Sequence, residues 1–255
     1  MFTKSVLKMS LVPAAALILL SAAAPDASAG QRQRNLWWQN TDGSTGHSTG
    51  TIDHTKGHTS GEITGSSSNG GGWTRSFDRT YNPATKSWDT TSTVTTNSGK
   101  TYTRNGSGSC VPGQGCSSSS TLNGPNGQIS TRDSSTQSTG NGGWTTNSTW
   151  TGPNGQTSTY NGTGQATGNG GWTTNGTWTG PNGQTVTRTG SGQVTNQGWQ
   201  TNNSWTDANG QTVTRSSNGQ YDGNGTANSD VTWTGPNGNS SESQRWIQIQ
   251  PAPAQ

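Results

Sequence analysis

The sequence predicts an all-β protein made of tandem β-hairpin repeats of about 28 residues, either solenoid-like or stacked, with partly disordered N-terminal and C-terminal segments. Three observations carry this: a turn tetrapeptide that returns at a fixed step, tryptophan pairs that keep the same step, and strand-forming residues between them.

The turn comes first. Gly124-Pro125-Asn126-Gly127 recurs at 152–155 and 180–183, degenerates to Asp207-Ala208-Asn209-Gly210, and returns at 235–238, in steps of 28, 28, 27 and 28 residues. Pro presets φ, Asn tolerates the next position, and Gly supplies the left-handed residue that closes a three-residue hairpin loop. The tryptophans follow: Trp144/Trp150, Trp172/Trp178 and Trp199/Trp205 are pairs six apart, and Trp233 holds the same slot in the last unit. Between turns lie Thr, Val, Trp and Tyr, the residues that favour a pleated strand. In this register Trp178 faces Val186, Gly176 faces Arg188, and Thr177 faces Thr187. One face then carries Trp, Val and Arg, and the other is nearly all Thr and Asn.

The chain divides on this basis. Residues 1–29 read as a secretory signal peptide, with Lys4 and Lys8 before an apolar run and Ala27-Ser28-Ala29 as the cleavage signal. Residues 30–87 are a Gly/Ser/Thr/His-rich segment outside the repeat, a cap or a disordered stretch. Residues 88–240 hold the repeats, and 241–255 form a tail. After the leader no stretch is apolar enough for a spanning helix, so the expectation is no transmembrane segment and a secreted or envelope-associated protein.

Composition limits the rest. Hydrophobic residues make up 22% of the chain against 39 glycines, too few for an ordinary core. The formal charge is +3, with scattered basic residues, which excludes a nucleic-acid footprint. Cys110 and Cys116 flank a turn-forming run, and in an exported chain they are expected to form a local disulfide.

Catalytic motifs are missing: there is no G-x-S-x-G, no P-loop and no H-E-x-x-H, so no enzyme and no cofactor are expected. His47, Asp53, His54 and His58 fall within twelve residues, but their spacing and Gly/Thr surroundings favour a solvated stretch over a metal site.

The sites expected to bind or self-associate are therefore Trp144, Trp150, Trp172, Trp178, Trp199, Trp205 and Trp233. A hairpin repeat rich in Gln, Asn and Gly behind a leader resembles, in general style, the curli-type secreted amyloid subunits. Their Gln/Asn ladder spacing is not reproduced, so no residue role is carried over. The leading expectation is a structural, matrix-forming or adhesive protein that self-associates through Trp and Thr ladders. The alternatives are a glycan-binding surface protein using the Trp rows on a polysaccharide or cell surface, and an ice-binding protein using the Thr face.

Overall fold

The computed structural model describes residues 30–251, so the leader lies outside the described residues. The first eight strands are β1 Gly30–Asn40, β2 Thr45–Thr55, β3 His58–Ser67, β4 Gly72–Asn82, β5 Ser87–Thr96, β6 Thr101–Val111, β7 Gly115–Asn123 and β8 Ile129–Gly140. The second eight are β9 Gly143–Thr151, β10 Thr157–Gly168, β11 Gly171–Thr179, β12 Thr185–Thr195, β13 Gly198–Asp207, β14 Thr212–Tyr221, β15 Thr226–Thr234 and β16 Ser240–Pro251.

Each strand pairs antiparallel with its sequence neighbours, and β16 returns to β1 along Arg32↔Pro251 to Asn40↔Ser243. The sheet is therefore a closed barrel, which corrects the expected solenoid or stack of hairpins. The unit was rightly a hairpin, but closure satisfies the edges that stacking would otherwise have had to cover. Residues 30–87, set apart in the sequence, contribute β1 to β4 to the same wall, and most of the C-terminal tail lies in β16.

Local chemistry explains the strand ends. At the Pro-Asn-Gly loops the Gly180 amide donates to the Gln184 carbonyl at 2.9 Å and the Gly183 amide to the Gly180 carbonyl at 3.0 Å. Gly183 has φ +78°, the left-handed position this loop requires. At the opposite end of the barrel the turns are tighter. Asn169 and Gly170 both have positive φ, 48° and 75°, which suits a twisted two-residue hairpin turn. The register of β11 on β12 has Trp178 opposite Val186, Gly176 opposite Arg188 and Thr177 opposite Thr187, as the sequence pattern requires.

Among the described residues, the buried apolar side chains are only Ile63, Ala227 and Val231. Stability therefore rests on a continuous backbone ladder and on side chains packed along one face of the wall, not on a central core. Cys110 and Cys116, directly opposite on β6 and β7, are joined in a disulfide.

Candidate functional site

Alternation along the strands sorts the side chains onto two faces, and register carries each face from strand to strand. All nine arginines of the sequence fall on one of them. Arg34, Arg75, Arg104, Arg132, Arg188, Arg215 and Arg245 share it with the repeat tryptophans. The other face takes Asp53, Glu62, Asp78, Asp89, Asp133, Asp230 and Glu242. Within the strands only Asp207, at the end of β13, shares the arginine face. The small net charge of +3 thus conceals two oppositely charged surfaces.

Long side chains on the arginine face meet across strands. Arg75 on β4 feels the charge of Arg34 on β1, three strand steps away. Arg75 also feels Arg104, Arg132 feels Arg104, and Arg215 feels Arg245 and Arg188. The tryptophans reach over intervening strands in the same way. Trp150 and Trp178 meet across β10 with ring centroids 4.3 Å apart, and Trp205 and Trp233 meet across β14 at 5.6 Å.

Three kinds of contact hold this face. First, glycines seat the indoles. A Cβ on Gly46, Gly65, Gly108, Gly164, Gly192 or Gly219 would fall 1.9 to 2.5 Å from ring atoms of Trp38, Trp73, Trp88, Trp144, Trp172 and Trp199 respectively. Each ring lies flat on the bare backbone of the next strand. Second, guanidinium groups sit over aromatic rings: Arg132 on Trp150 at 4.8 Å, Arg215 on Trp233 at 5.7 Å, Arg188 on Trp205 at 5.8 Å, Arg79 on Trp88 at 5.4 Å and Arg75 on Phe77 at 5.5 Å. Third, Arg188 Nη2 donates to Asn203 Oδ1 at 2.6 Å. The Nε atoms of Arg34, Arg132 and Arg188 are buried with no protein partner.

The seven tryptophans singled out in the sequence are thus gathered on the arginine face. Their contacts are with arginine, glycine and each other. The arginine belt and the glycine seats escaped the sequence reading, although a signal was there: Arg32/Arg34 and Arg75/Arg79 keep an even spacing, which is the parity of one strand face. The histidines are separated. His47 bonds Ser66, His54 bonds Thr59, and His58 pairs with Asp78 at 2.6 Å on the face opposite the arginines. Among the described residues no three His, Cys, Asp or Glu side chains converge as metal ligands.

The opposite face carries short polar side chains. β11 and β12 present Thr173, Asn175, Thr177, Thr179, Thr185, Thr187 and Thr189 to it. Its cross-strand contacts are hydroxyl pairs such as Thr206–Thr212 at 2.9 Å and Thr234–Ser240 at 3.0 Å. Trp37 and Trp246, opposite one another on the β1–β16 seam, are its only tryptophans.

No protein-family model matches the sequence, and no curated relative does. Solved porin structures share the architecture. A triple mutant of the Rhodopseudomonas blastica porin superposes with TM-score 0.57 at 8% identity, covering 88% of this chain and 99% of the porin. A second mutant of the Rh. blastica porin reaches 0.58 at the same identity and coverage, and an engineered protein described for asymmetric conductivity reaches 0.57. At this identity the likeness is one of fold.

That fold overturns several expectations. A closed porin-like barrel has no free strand edge through which chains could build a matrix. The matrix-forming or adhesive role, its glycan- and ice-binding alternatives, and the partners they required are overturned by a closed barrel of porin-like fold. The expectation of no transmembrane segment fails with them. It was argued from helices alone, and barrels of this architecture cross with strands.

Proposed function

We propose that the protein is a pore-type β-barrel of the cell envelope whose lumen admits and passes small anions. The single observation that carries this is the confinement of all nine arginines to one face of a closed sixteen-stranded wall, the face we turn to the lumen. Barrels of about this strand number leave an aqueous passage. Rings of Arg or Lys in such a passage favour anions over cations. The aromatic groups stacked on the guanidinium groups hold the cations in place, and the serines and glycines between them leave room. The reading involves no catalysis, in keeping with the sequence's lack of a catalytic constellation.

The test is planar-bilayer conductance of the purified protein under a potassium chloride gradient. The expected result is stepwise conductance with a reversal potential of the sign given by chloride preference. A cation-selective pore would overturn the anion assignment.

One observation favours a second reading of the lumen. The lipid face of an outer-membrane barrel is an apolar band flanked by aromatic girdles, and its interior is polar. Here the tryptophans share a face with Val186, Val213 and Val231, and the opposite face is threonine, asparagine and carboxylate. That favours a pore lined by the threonine and carboxylate face. The reversal potential separates the two readings: chloride preference supports the arginine lining, and cation preference supports the carboxylate lining.

A further inference from the structure

The face opposite the arginines is not uniform. Between β5 and β9 it drops into an open hollow of about 640 Å³, within the size range of small-molecule sites. Residue size explains the depression. Asp89, Ser107, Ser119 and Asp133 stand in one cross-strand row on β5, β6, β7 and β8, and Ser109 and Ser117 pair in the next row. On β6 and β7 both rows are serine, so the floor is low. The residues between the rows alternate to the arginine face and contribute backbone to the hollow.

Its charge is one-sided. The lining holds the carboxylates of Asp89 and Asp133 and neither lysine nor arginine. Among the described residues the only ion pair is His58 with Asp78, so neither Asp89 nor Asp133 is neutralised by a partner in the chain. Three strand steps separate the two, ~14 Å along the wall. Magnesium or calcium binds oxygen at about 2.0–2.6 Å, so the pair is too far apart to share one metal ion. The span suits an elongated ligand with a cation at each end. Between the ends, the serine hydroxyls can accept hydrogen bonds from further N–H groups, and their short side chains leave room for a chain laid across them.

We infer that this hollow binds a linear aliphatic polyamine, laid across β5 to β8 with one terminal ammonium on Asp89, the other on Asp133, and an inner amine over Ser107 and Ser119. An extended triamine of the spermidine class has this reach with a hydrogen bond at each end. Both end contacts are charge-assisted. Once one end is held, the second binds at high effective concentration, which a ligand too short to bridge cannot exploit. The inference goes beyond the passage of small ions. It rests on neither assignment of the lumen, because the hollow belongs to the carboxylate-bearing face whichever way that face turns.

The experiment is isothermal titration of the full-length protein with spermidine, diaminopropane and magnesium chloride in parallel. Salt is held at ~0.15 M, where exposed charges more than about 8 Å apart are largely screened. Spermidine is expected to bind one site at least ~10-fold more tightly than diaminopropane. Asp89→Asn and Asp133→Asn are each expected to bring spermidine down to the level of diaminopropane, a loss of ~10-fold or more. Asp89→Glu keeps the charge and should keep most of the affinity. Asp230→Asn, on the same face but outside the hollow, should change it by less than ~2-fold.

Spermidine binding no tighter than diaminopropane or magnesium would overturn the inference. Equal losses from Asp89→Asn, Asp133→Asn and Asp230→Asn would overturn it as well, since they mark diffuse attraction to a negative face. The reversal potential in the bilayer, measured independently, reports which face lines the lumen.

Discussion

Along β11 and β12 one face receives Trp172, Trp178, Val186 and Arg188, while the other receives Thr173, Asn175, Thr187 and Thr189. The same two strands thus build two unrelated surfaces. On the first, side chains are large, cationic and interlocked across strands. On the second, they are short, neutral or acidic, and joined by little more than hydroxyl pairs. The contrast teaches where packing resides. The threonine face supplies strand propensity, and the tryptophan face supplies packing and positive charge. Substitutions on the two faces should therefore differ in kind as well as in size.

The largest expected difference concerns ion preference. Replacing Arg75, Arg132 and Arg215 together by Gln should abolish anion selectivity and move the reversal potential to zero or beyond. Replacing the outward Asp89, Asp133 and Asp230 together by Asn should leave it in place. A selectivity that follows the aspartates would reverse the assignment of faces.

Packing gives the next comparison. A side chain at Gly192 meets the Trp172 ring at 2.2 Å, so Gly192→Val must expel the indole. We expect it to destabilise the barrel by about 1–3 kcal/mol in chemical denaturation. Thr189→Val, three residues away on the exposed face, should change stability by less than ~0.5 kcal/mol.

The tryptophans offer a finer version. Trp233 stacks on Trp205 and carries Arg215, whereas Trp37 is 41% exposed on the opposite face at the β1–β16 seam. Trp233→Ala should cost about 1–2 kcal/mol more than Trp37→Ala. Equal costs would mean that the inner stack contributes nothing beyond burial.

The parts legible in the sequence were those that local chemistry dictates. Pro181-Asn182-Gly183 specified its loop, and the loop fixed the register that puts Trp178 opposite Val186. Alternation then separated a Trp/Arg face from a Thr face. Closure was not legible, because it depends on how many hairpins join and on the shear between them, and neither is written in one repeat. β1 to β4 carry no 28-residue step, so their membership in the wall was hidden, although Asp42-Gly43, Lys56-Gly57 and Asn69-Gly70 mark their turns. Which face turns inward was equally hidden. A single hairpin can curve either way.

The smallest predicted effect lies at a barrel end, on neither face. The amides of Asn224 and Thr226 donate to Asp222 Oδ1 at 2.8 and 2.9 Å and hold its carboxyl below the ordinary carboxylate range. A depressed carboxylate stabilises the fold above its unfolded value and loses that contribution as pH falls through its folded value. Melting temperature should therefore drop slightly more on acidification in the wild type than in Asp222→Asn.

The central claim is that the arginine face lines the lumen and the threonine face meets the outside. Single cysteines at Arg188 and Thr187, adjacent in β12, test it most directly, with the native cysteines held in their disulfide. Each is treated with a small maleimide and with one on a polymer too bulky to enter the barrel. The account predicts that the cysteine at 187 reacts with both reagents and the cysteine at 188 with the small one alone. The bulky reagent modifying position 188 and sparing 187 would contradict it.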